Sequence, residues 1–461
     1  MPWQNKIMRT VRVRNELIPG TLARLLTAVA ERNGSIGEIR LIREGTKAIV
    51  RDITVYADTE EQMADIIEAI RANPGSRVLE VRDEVLEVHR GGKIAIRSRY
   101  KIDSLATLRR VYTPGVAQVS MRIAKDPKLA WQFTSISHLV AVVTDGTAIL
   151  GLGDIGPVAG MPVMEGKAML MESLVGLSGV PVLLNTKDVD AIVDAVAAIA
   201  PTFSAIQLED ISAPRCFEIE QRLQERLNIP VMHDDQHGTA VVVTAALTNA
   251  CRYANVDLHK ATIGQIGLGA AGMAISRMLM HISGHPVLGA DLSEDALQRL
   301  ESYGGKRATL DEIMAKADIV IATTGVPGLI KPEMVRPGQI IFALSNPKPE
   351  IEPDAAIEAG AAFAADGKSV NNVLGFPGIL RGAVDTHATR ITPEMYLAAV
   401  HALVAHTPEG ELLPSPLMPE VHRAVARAVA EKALEQGVAQ ADYVPYVTDD
   451  DEEEEEGRVT I

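Results

Sequence analysis

Acidic side chains cluster at two points where a short apolar run of the chain ends. Residues 231–239 read VMHDDQHGT, which places Asp234 and Asp235 side by side, and Glu209 and Asp210 close the earlier run FSAIQLED. Carboxylate oxygens are the ligands that Mg²⁺ and Mn²⁺ prefer in proteins. We therefore predict that Glu209, Asp210 and Asp235 converge in a cleft and hold a divalent cation.

The histidines beside the aspartate pair raise the alternative of a zinc site. His233 and His237 have the spacing of one helix face, but two acids lie between them at a strand exit and the cysteines are elsewhere. Zinc is therefore disfavoured. A single acid here can instead be a helix N-cap, and Asp235 suits that role before QHGTAVVVTAALTN. That explanation does not account for the three acids together.

Lys167 and Tyr112 are the other candidates for chemistry. Lys167 lies in MEGKAMLMESLVG, where the helix around it is almost uncharged, and Tyr112 lies in the turn-like stretch VYTPGVA. Desolvation on an apolar helix lowers the pKa of a lysine, which suits a general base near neutral pH. Taken singly, a lysine that extends to solvent and a half-buried tyrosine are the commoner explanations.

Strands and helices alternate from about residue 93 to 255, which is an α/β pattern. Four apolar runs predict buried strands, each followed by a helical stretch: HLVAVVTDG, VPVLLNT, FSAIQLED and IPVMHDD. Ligands in such sheets gather beyond the carboxyl ends of the strands. The acids named above fall at those ends, so we expect the sheet to bring them together.

A glycine pattern opens a second α/β unit at about residue 260. The hexapeptide GLGAAG at 267–272 follows a strand and begins a helix, and an acid ends the next strand about 20 residues further on, as in dinucleotide-binding folds. Asp291 would accept hydrogen bonds from ribose hydroxyls and repel a 2′-phosphate, which favours NAD over NADP. The predicted cofactor-binding residues here are Gly267, Gly269, Ala270, Ala271, Gly272 and Asp291.

The first ninety residues predict the order strand, helix, strand, strand, helix, strand, with SRVLEVRDEVLEVH as the last strand. That order is typical of a split βαβ sandwich. The stretch NELIPGTL after the first strand resembles the ACT regulatory domains. The resemblance implies a site for small effectors such as amino acids, or a domain that only dimerises. A linker, HRGGKI, follows.

The bulk composition bounds the class of protein. The chain has 461 residues and a net charge of −15, of which the run at 449–456 supplies eight negative charges. This run predicts a disordered acidic tail, and the overall acidity argues against nucleic-acid binding. The N-terminus has no apolar signal core and no run is long enough to span a bilayer. Two cysteines indicate a reducing compartment, so we predict a cytoplasmic protein with no membrane partner.

Long stretches between about 109 and 385 resemble the malic enzymes of the shorter prokaryotic type, and they stand in the family's order. These stretches are RRVYTPGVA, AVVTDGTAILGLGDIGP, MPVMEGKAML, LEDISAPRCFEIE, MHDDQHGTA, GLGAAG, ALSNPKPEI and NNVLGFPGILRGA. The resemblance implies oxidative decarboxylation of L-malate to pyruvate and CO₂, with NAD and with Mg²⁺ or Mn²⁺. It also implies at least a homodimer.

The resemblance assigns roles by matching position. Tyr112 corresponds to the general acid, Lys167 to the general base, and Asp234 to a residue that supports the lysine. The implied metal ligands are Glu209, Asp210 and Asp235, and the implied contacts with substrate or nicotinamide are Lys167, Asn346, Asn371 and Asn372. The loop before the asparagine pair, AADGKSVNN, is shorter than is common in the family, which leaves substrate preference open.

The predicted organisation is an α/β protein with four segments. These are an ACT-like domain at 1–90, a substrate and metal domain at 93–255, a Rossmann-type NAD-binding domain with C-terminal helices at 256–440, and a tail at 441–461. Two other functions remain open from the sequence. One is malolactic or other 2-hydroxy-acid decarboxylating chemistry, and the other is a non-catalytic sensor of metabolite and redox state.

Overall fold

Two compact units make up the chain, residues 1–95 and residues 96–461. The structure, a computed structural model, describes residues 6–149 and 151–446. The acidic run at 449–456 lies outside these residues. None of the helices in the described ranges is both long enough and apolar enough to cross a membrane.

The first unit is a four-stranded antiparallel sheet with two helices on one face. Its strands stand in the order β2-β3-β1-β4. Val11 and Val13 of the sheet pack with Leu25 and Ile66 of the helices to form its core. The predicted order of elements is confirmed, and their bounds are β1 Ile7–Glu16, α1 Thr21–Ala30, β2 Ser35–Glu44, β3 Ala48–Ala57, α2 Glu60–Ala72 and β4 Ser76–Arg82.

The predicted last strand of this unit is wrong in its second half. β4 ends at Arg82, and a short helix, α3, runs over Glu84–His89. Asp83 accepts hydrogen bonds from the backbone N–H groups of Val85 at 3.0 Å and Leu86 at 3.1 Å. This N-cap satisfies donors that a strand would have used, and it outweighs the strand preference of the valines that follow.

The second unit begins with helices only, so the predicted alternation of strands and helices is wrong up to residue 138. These helices are α4 Leu105–Val111, α5 Gly115–Lys125 and α6 Ala130–Phe133, with short 3₁₀ turns at Pro127–Leu129 and Ser135–His138. None of the side chains in α4, α5 or α6 is buried. Tyr100, Leu105 and Met121 are each more than 60% exposed.

A four-stranded parallel sheet follows, and all four predicted strands are present in it. The strand order is β6-β5-β7-β8. Parallel pairing places the carboxyl ends of these strands along one edge. The elements are β5 Leu139–Thr144, α7 Pro157–Val175, β6 Ser178–Leu183, α8 Val189–Ile199, a 3₁₀ turn at Ala200–Thr202, β7 Ala205–Leu208, α9 Arg215–Arg226, β8 Val231–His233 and α10 Asp234–Ala254.

The second parallel sheet has six strands in the order β11-β10-β9-β12-β13-β14. This is the doubly wound arrangement of dinucleotide-binding folds, with the order changing direction beside β9. The elements are β9 Ile263–Ile266, α11 Ala270–Ser283, β10 Leu288–Ala290, α12 Glu294–Ser302, β11 Lys306–Arg307, α13 Leu310–Lys316, β12 Ile319–Ala322, a 3₁₀ turn at Pro332–Met334, β13 Ile340–Ala343, α14 Pro353–Glu358 and β14 Phe363–Asp366.

Helix α10 belongs to the cores of both parallel sheets. Val241 and Val242 pack with the first sheet and the C-terminal helices, whereas Val243 and Leu247 pack with the second sheet. A buried helix that is apolar on opposite sides joins two layers of structure. The remaining elements are a 3₁₀ turn at Asn372–Leu374, α15 Phe376–Asp385, α16 Pro393–Ala405 and α17 Pro419–Glu435.

Both cysteines are free and buried, Cys216 on α9 and Cys251 on α10. Burial raises the pKa of each thiol to about 12. A thiol with so high a pKa is almost wholly protonated at neutral pH and is a poor nucleophile.

Candidate active site

The aspartate pair lies where β8 passes directly into α10. His233 is the last residue of β8 and the N-cap of α10, and Asp234 and Asp235 form the first turn of the helix. Asp235 is therefore not the N-cap that the sequence suggested as an alternative. The positive end of the helix dipole favours carboxylates in this first turn.

Lys167 projects from the middle of α7 into the same buried region. Its Nζ lies 3.0 Å from Oε1 of Glu209 and donates a short hydrogen bond to Oδ2 of Asp234. The ring of Phe376, the first residue of α15, lies 4.5 Å from the Nζ. The lysine thus joins acids from the ends of two neighbouring strands.

The predicted lowering of the lysine pKa is wrong. Burial does work against the ammonium form, but the negative charges of Asp234 and Glu209 outweigh it and hold the pKa of Lys167 above its ordinary value. The apolar helix around the lysine predicted only the first of these effects. The acids that dominate come from other strands of the sheet.

Three carboxylates beside the lysine form a candidate cation site. One ligand oxygen each from Glu209, Asp210 and Asp235 lies within 4.8 Å of the other two. Asp210 adopts a left-handed backbone conformation with φ of 54°, and its N–H donates to Oδ2 of Asp235 at 3.0 Å. Gln207 fixes Glu209 with a hydrogen bond of 2.7 Å. Three hard oxygen donors at this spacing fit Mg²⁺ or Mn²⁺.

The buried acids do not all remain at their ordinary acidity. Desolvation raises the pKa of Glu209 and of Asp234, although Lys167 opposes the shift in both. Desolvation acts on Asp235 as well, but a favourable contact with His233 holds the pKa of Asp235 below its ordinary value. Desolvation and the neighbouring carboxylates thus disfavour the charged forms of Glu209 and Asp234, and a bound cation would relieve this repulsion.

The two histidines beside the aspartates have different partners, and only the ring of His237 contacts Glu220 of α9, while the ring of His233 lies 3.3 Å from Asp235. His237 lies with Nε2 3.0 Å from Oε2 of Glu220 and stacks on the ring of Tyr396. Within residues 6–149 and 151–446, the group of possible metal ligands contains no histidine. Glu220 was not predicted, although it stands with Cys216 and Ile219 on the buried face of α9, where an acid is unexpected.

The paired asparagines are placed differently from each other. Asn372 donates from Nδ2 to Oδ2 of Asp234 at 2.8 Å. It therefore belongs to the lysine cluster, which is Lys167 with its acidic partners Asp234 and Glu209. Asn371 accepts the N–H of Val373 and caps the 3₁₀ turn. Asn346 follows β13 and lies close to Gly367, where an added Cβ would meet its Nδ2 at 2.7 Å. The hydrogen bonds of the lysine cluster described above include neither Asn346 nor Asn371.

Tyr112 stands apart from the buried cluster in this structure. It ends α4, its side chain is 67% exposed, and its backbone alone makes the hydrogen bonds found for it in the described chain. Its assignment as the general acid therefore depends on the resemblance alone.

The glycine turn has the backbone that its spacing predicts. Gly267 has φ of +87°, and a Cβ there would lie 2.7 Å from the carbonyl oxygen of Thr323. At Gly272 a Cβ would lie 2.0 Å from the carbonyl oxygen of Gly267, whereas the space beside Gly269 is open. The turn therefore packs closely on the strand side and leaves room for a phosphate at the helix start.

Asp291 directly follows β10 and lies beside this turn. Its Oδ2 accepts the N–H of Leu268 at 2.6 Å, and its Oδ1 accepts the N–H of Ser293 at 2.8 Å. Both oxygens therefore already bond to the backbone, and each keeps a lone pair for a further donor.

Three parts of the chain match known protein families. Residues 95–224 match the malic enzyme N-terminal domain, residues 230–327 the NAD-binding domain of D-isomer-specific 2-hydroxyacid dehydrogenases, and residues 364–438 the malic enzyme NAD-binding domain. A relative named NAD-dependent malic enzyme 1, from Bacillus subtilis, is 56% identical over 93% of this chain and 98% of its own. The chain belongs to the malic enzyme family.

Other malic enzymes extend the likeness to most of the chain. The NAD-dependent malic enzyme of Geobacillus stearothermophilus is 42% identical over 95% of this chain and 96% of its own length. The crystal structure of the malic enzyme from Pyrococcus horikoshii superposes with a TM-score of 0.74 at 40% identity, covering 82% of this chain and 95% of that one. The family assignment made from the motifs is confirmed.

Gly238 is required by the position of Asp234. A Cβ at residue 238 would lie 1.8 Å from Oδ1 of Asp234, so Gly238→Ala must push this carboxylate out of the cluster. We expect the variant to lose about 1–3 kcal/mol in its free energy of unfolding, as overpacked cores do. Chemical denaturation monitored by circular dichroism measures the change.

Whether Gly238→Ala lowers or raises the free energy of unfolding tests whether Asp234 is held in place. Alanine within a helix is favoured over glycine by about 1 kcal/mol. If the aspartate could move away freely, Gly238→Ala would therefore be more stable than the wild type, and such a gain would contradict the proposed constraint.

Proposed function

We propose that this chain catalyses the oxidative decarboxylation of L-malate to pyruvate and CO₂, with NAD as the hydride acceptor and a divalent cation. The observation that carries the proposal is Lys167, buried between Asp234 and Glu209 and beside three converging carboxylates. The activities named for the related malic enzymes support it.

Glu209, Asp210 and Asp235 would hold the cation. Their donor set is oxygen only and lies within 4.8 Å, which suits a hard divalent ion better than zinc. When bound, such an ion acts as a Lewis acid that polarises substrate oxygen atoms. Gln207 and the N–H of Asp210 keep two of the carboxylates oriented towards this position.

Lys167 would act as the base that takes the proton of the C2 hydroxyl. It must first be neutral, so a positive charge that screens Glu209 would favour the amine form. Asp234 fixes the Nζ, and Asn372 holds the same carboxylate oxygen from the other side. We propose that Tyr112 returns a proton to C3, as the resemblance implies.

The glycine turn would bind the pyrophosphate of NAD at the start of α11, where backbone N–H groups are available. Asp291 beside the turn would accept a ribose hydroxyl with its remaining lone pairs. The hydride from C2 of malate would pass to the nicotinamide of NAD, leaving a β-keto acid that loses CO₂.

The test is a steady-state assay with L-malate, NAD and Mn²⁺ that follows NADH, pyruvate and lactate. We expect one pyruvate for each NADH, no activity after treatment with a chelator, and recovery on adding Mn²⁺. Lys167→Met should lower the turnover number by about 10²–10⁴, because general base catalysis contributes that much. The control Lys260→Met removes an ammonium whose side chain is 84% exposed and should behave as the wild type.

Two results would contradict the proposal. One is full activity in chelator-treated protein or in Lys167→Met. The other is lactate without net NADH, which would indicate malolactic chemistry.

Asp291 is expected to determine the choice of dinucleotide. Asp291→Asn removes the charge that would repel a 2′-phosphate and one acceptor for the ribose, so the ratio of kcat/KM for NAD to that for NADP should fall about tenfold or more. Asp295→Asn makes the same change on an exposed residue of α12 and serves as control. An unchanged ratio in Asp291→Asn would show that this acid does not select the cofactor.

We further propose that the first unit is an ACT-like regulatory domain that binds an amino acid near residues 15–22. The support is its βαββαβ order and sheet order β2-β3-β1-β4. In this region Asn15 is buried and hydrogen-bonded to Ser76, which fixes the end of β1.

An effector should raise the melting temperature of the full chain, since ligand at 100 times its Kd stabilises by about 2.7 kcal/mol. Thermal shift with each of the twenty amino acids in turn would identify it. Leu17→Glu, in the loop after β1, should abolish the response, whereas Leu79→Glu on β4 should keep it, because both leucines are about half exposed. If no amino acid shifts the wild type, this domain has no amino acid effector.

A further inference from the structure

Glu220 is a buried acid that the proposed reaction does not use. It lies on the face of α9 that packs on the first parallel sheet, among Cys216, Ile219 and Leu223, and it is only 6% exposed. A buried carboxylate is unfavourable unless its oxygens are hydrogen-bonded. The groups that Glu220 bonds to therefore indicate what it does.

One oxygen of Glu220 closes the edge of the sheet. In the part of the chain that the structure describes, β8 pairs only with β7, so the outward N–H groups of β8 have no strand there to bond to. Oε1 of Glu220 accepts the N–H of His233 at 2.7 Å. That residue ends β8, and α10 begins at the next one, so the bond fixes the backbone immediately before the aspartate pair.

The other oxygen holds the first turn of α10. Oε2 of Glu220 accepts a hydrogen bond from Nε2 of Gln236 at 3.1 Å and lies 3.0 Å from Nε2 of His237. One carboxylate thus bonds to residues on both sides of the aspartate pair. Asp234 and Asp235 stand between these anchored positions and have no loop in which to change direction.

A second connection reaches the cation site through the ring of His233. Gln236 also lies with its Nε2 3.1 Å from Nδ1 of His233, so it donates to that nitrogen and the ring hydrogen is on Nε2. Nε2 lies 3.3 Å from Oδ2 of Asp235, a contact between polar groups rather than a well-aligned hydrogen bond. The N–H of Asp210 holds the same oxygen from the other side.

We propose that Glu220 is a positioning residue for the divalent cation, which it serves by holding the junction of β8 and α10 so that Asp235 faces Glu209 and Asp210. Glu220 is not itself among the three candidate ligands. The inference rests on the proposed function, because it assumes that these three carboxylates bind the cation. It accounts for the histidine and glutamine side chains that surround the aspartate pair.

Loss of such outer partners typically lowers metal affinity by about 10–100-fold. In Glu220→Gln the side chain keeps its size but replaces one acceptor oxygen with an NH₂ group, which cannot accept from Gln236 and His237. We therefore expect a 10–100-fold weaker Kd for Mn²⁺, measured from the electron paramagnetic resonance signal of free Mn²⁺ without malate or NAD. NAD affinity, measured by calorimetry, should stay within about twofold of the wild type.

Two controls separate positioning from simple loss of stability. Glu218→Gln makes the same chemical change on the exposed side of α9, where the carboxylate pairs with Arg222 at 3.0 Å, and should bind Mn²⁺ as the wild type does. Leu223→Ala removes buried apolar volume from the same face of α9 and leaves every junction hydrogen bond in place. It should lower the melting temperature and leave the Mn²⁺ affinity unchanged.

Gln236→Met provides a second variant if Glu220→Gln does not fold. It removes the bonds to Glu220 and to the His233 ring without introducing charge, and we expect weaker Mn²⁺ binding here too. Wild-type Mn²⁺ affinity in Glu220→Gln, or in Gln236→Met when only that variant folds, would overturn the inference, as would an equal loss in Leu223→Ala. Failure of the wild-type protein to bind Mn²⁺ would instead overturn the proposed cation site.

Discussion

The imbalance of charge in one buried patch constrains much of the surrounding structure. Among the residues that the structure describes, Lys167 is the one lysine or arginine paired with the cluster of Glu209, Asp210, Asp234 and Asp235. The first three of these acids are buried, and a buried carboxylate in isolation would cost several kcal/mol. The chain offsets this by giving the acids specific partners, which include Gln207, the N–H of Asp210 and Asn372. An arrangement with surplus negative charge is stable only when it is fully hydrogen-bonded or when a cation enters it.

The neighbouring backbone leaves these acids little freedom. β8 passes into α10 without a loop, so the directions of Asp234 and Asp235 follow from the direction of the helix. Residue 238 lies one turn further along, and only glycine at this position leaves space for the Asp234 carboxylate. The dinucleotide turn uses the same device, since the close approach at Gly272 excludes any side chain. In both places the absence of a Cβ sets the geometry of a charged or phosphate-binding group.

Much of this site could be predicted because it depends on local pattern. Acids that end buried strands of a parallel sheet must meet at its carboxyl edge, and the glycine hexapeptide specifies its own turn. The pKa of Lys167 could not be predicted in this way, because its partner Asp234 lies 67 residues away and on a different element. The role of Glu220 could not be predicted for a similar reason. The helical pattern indicates that this residue is buried, but it does not show that the outer edge of β8 faces it. Asp83 shows the converse, a local cap that overrides the strand preference of its neighbours.

Helix α10 packs against both parallel sheets, which the order of motifs along the sequence does not show. Its first turn carries Asp234 and Asp235, and its middle packs into the cores of both sheets. Cutting the chain after this helix would therefore strip the dinucleotide-binding sheet of apolar cover, and cutting before it would separate Asp234 and Asp235 from Glu209 and Asp210. Because α10 packs into both cores, we expect the two parallel sheets to unfold together rather than as separate modules.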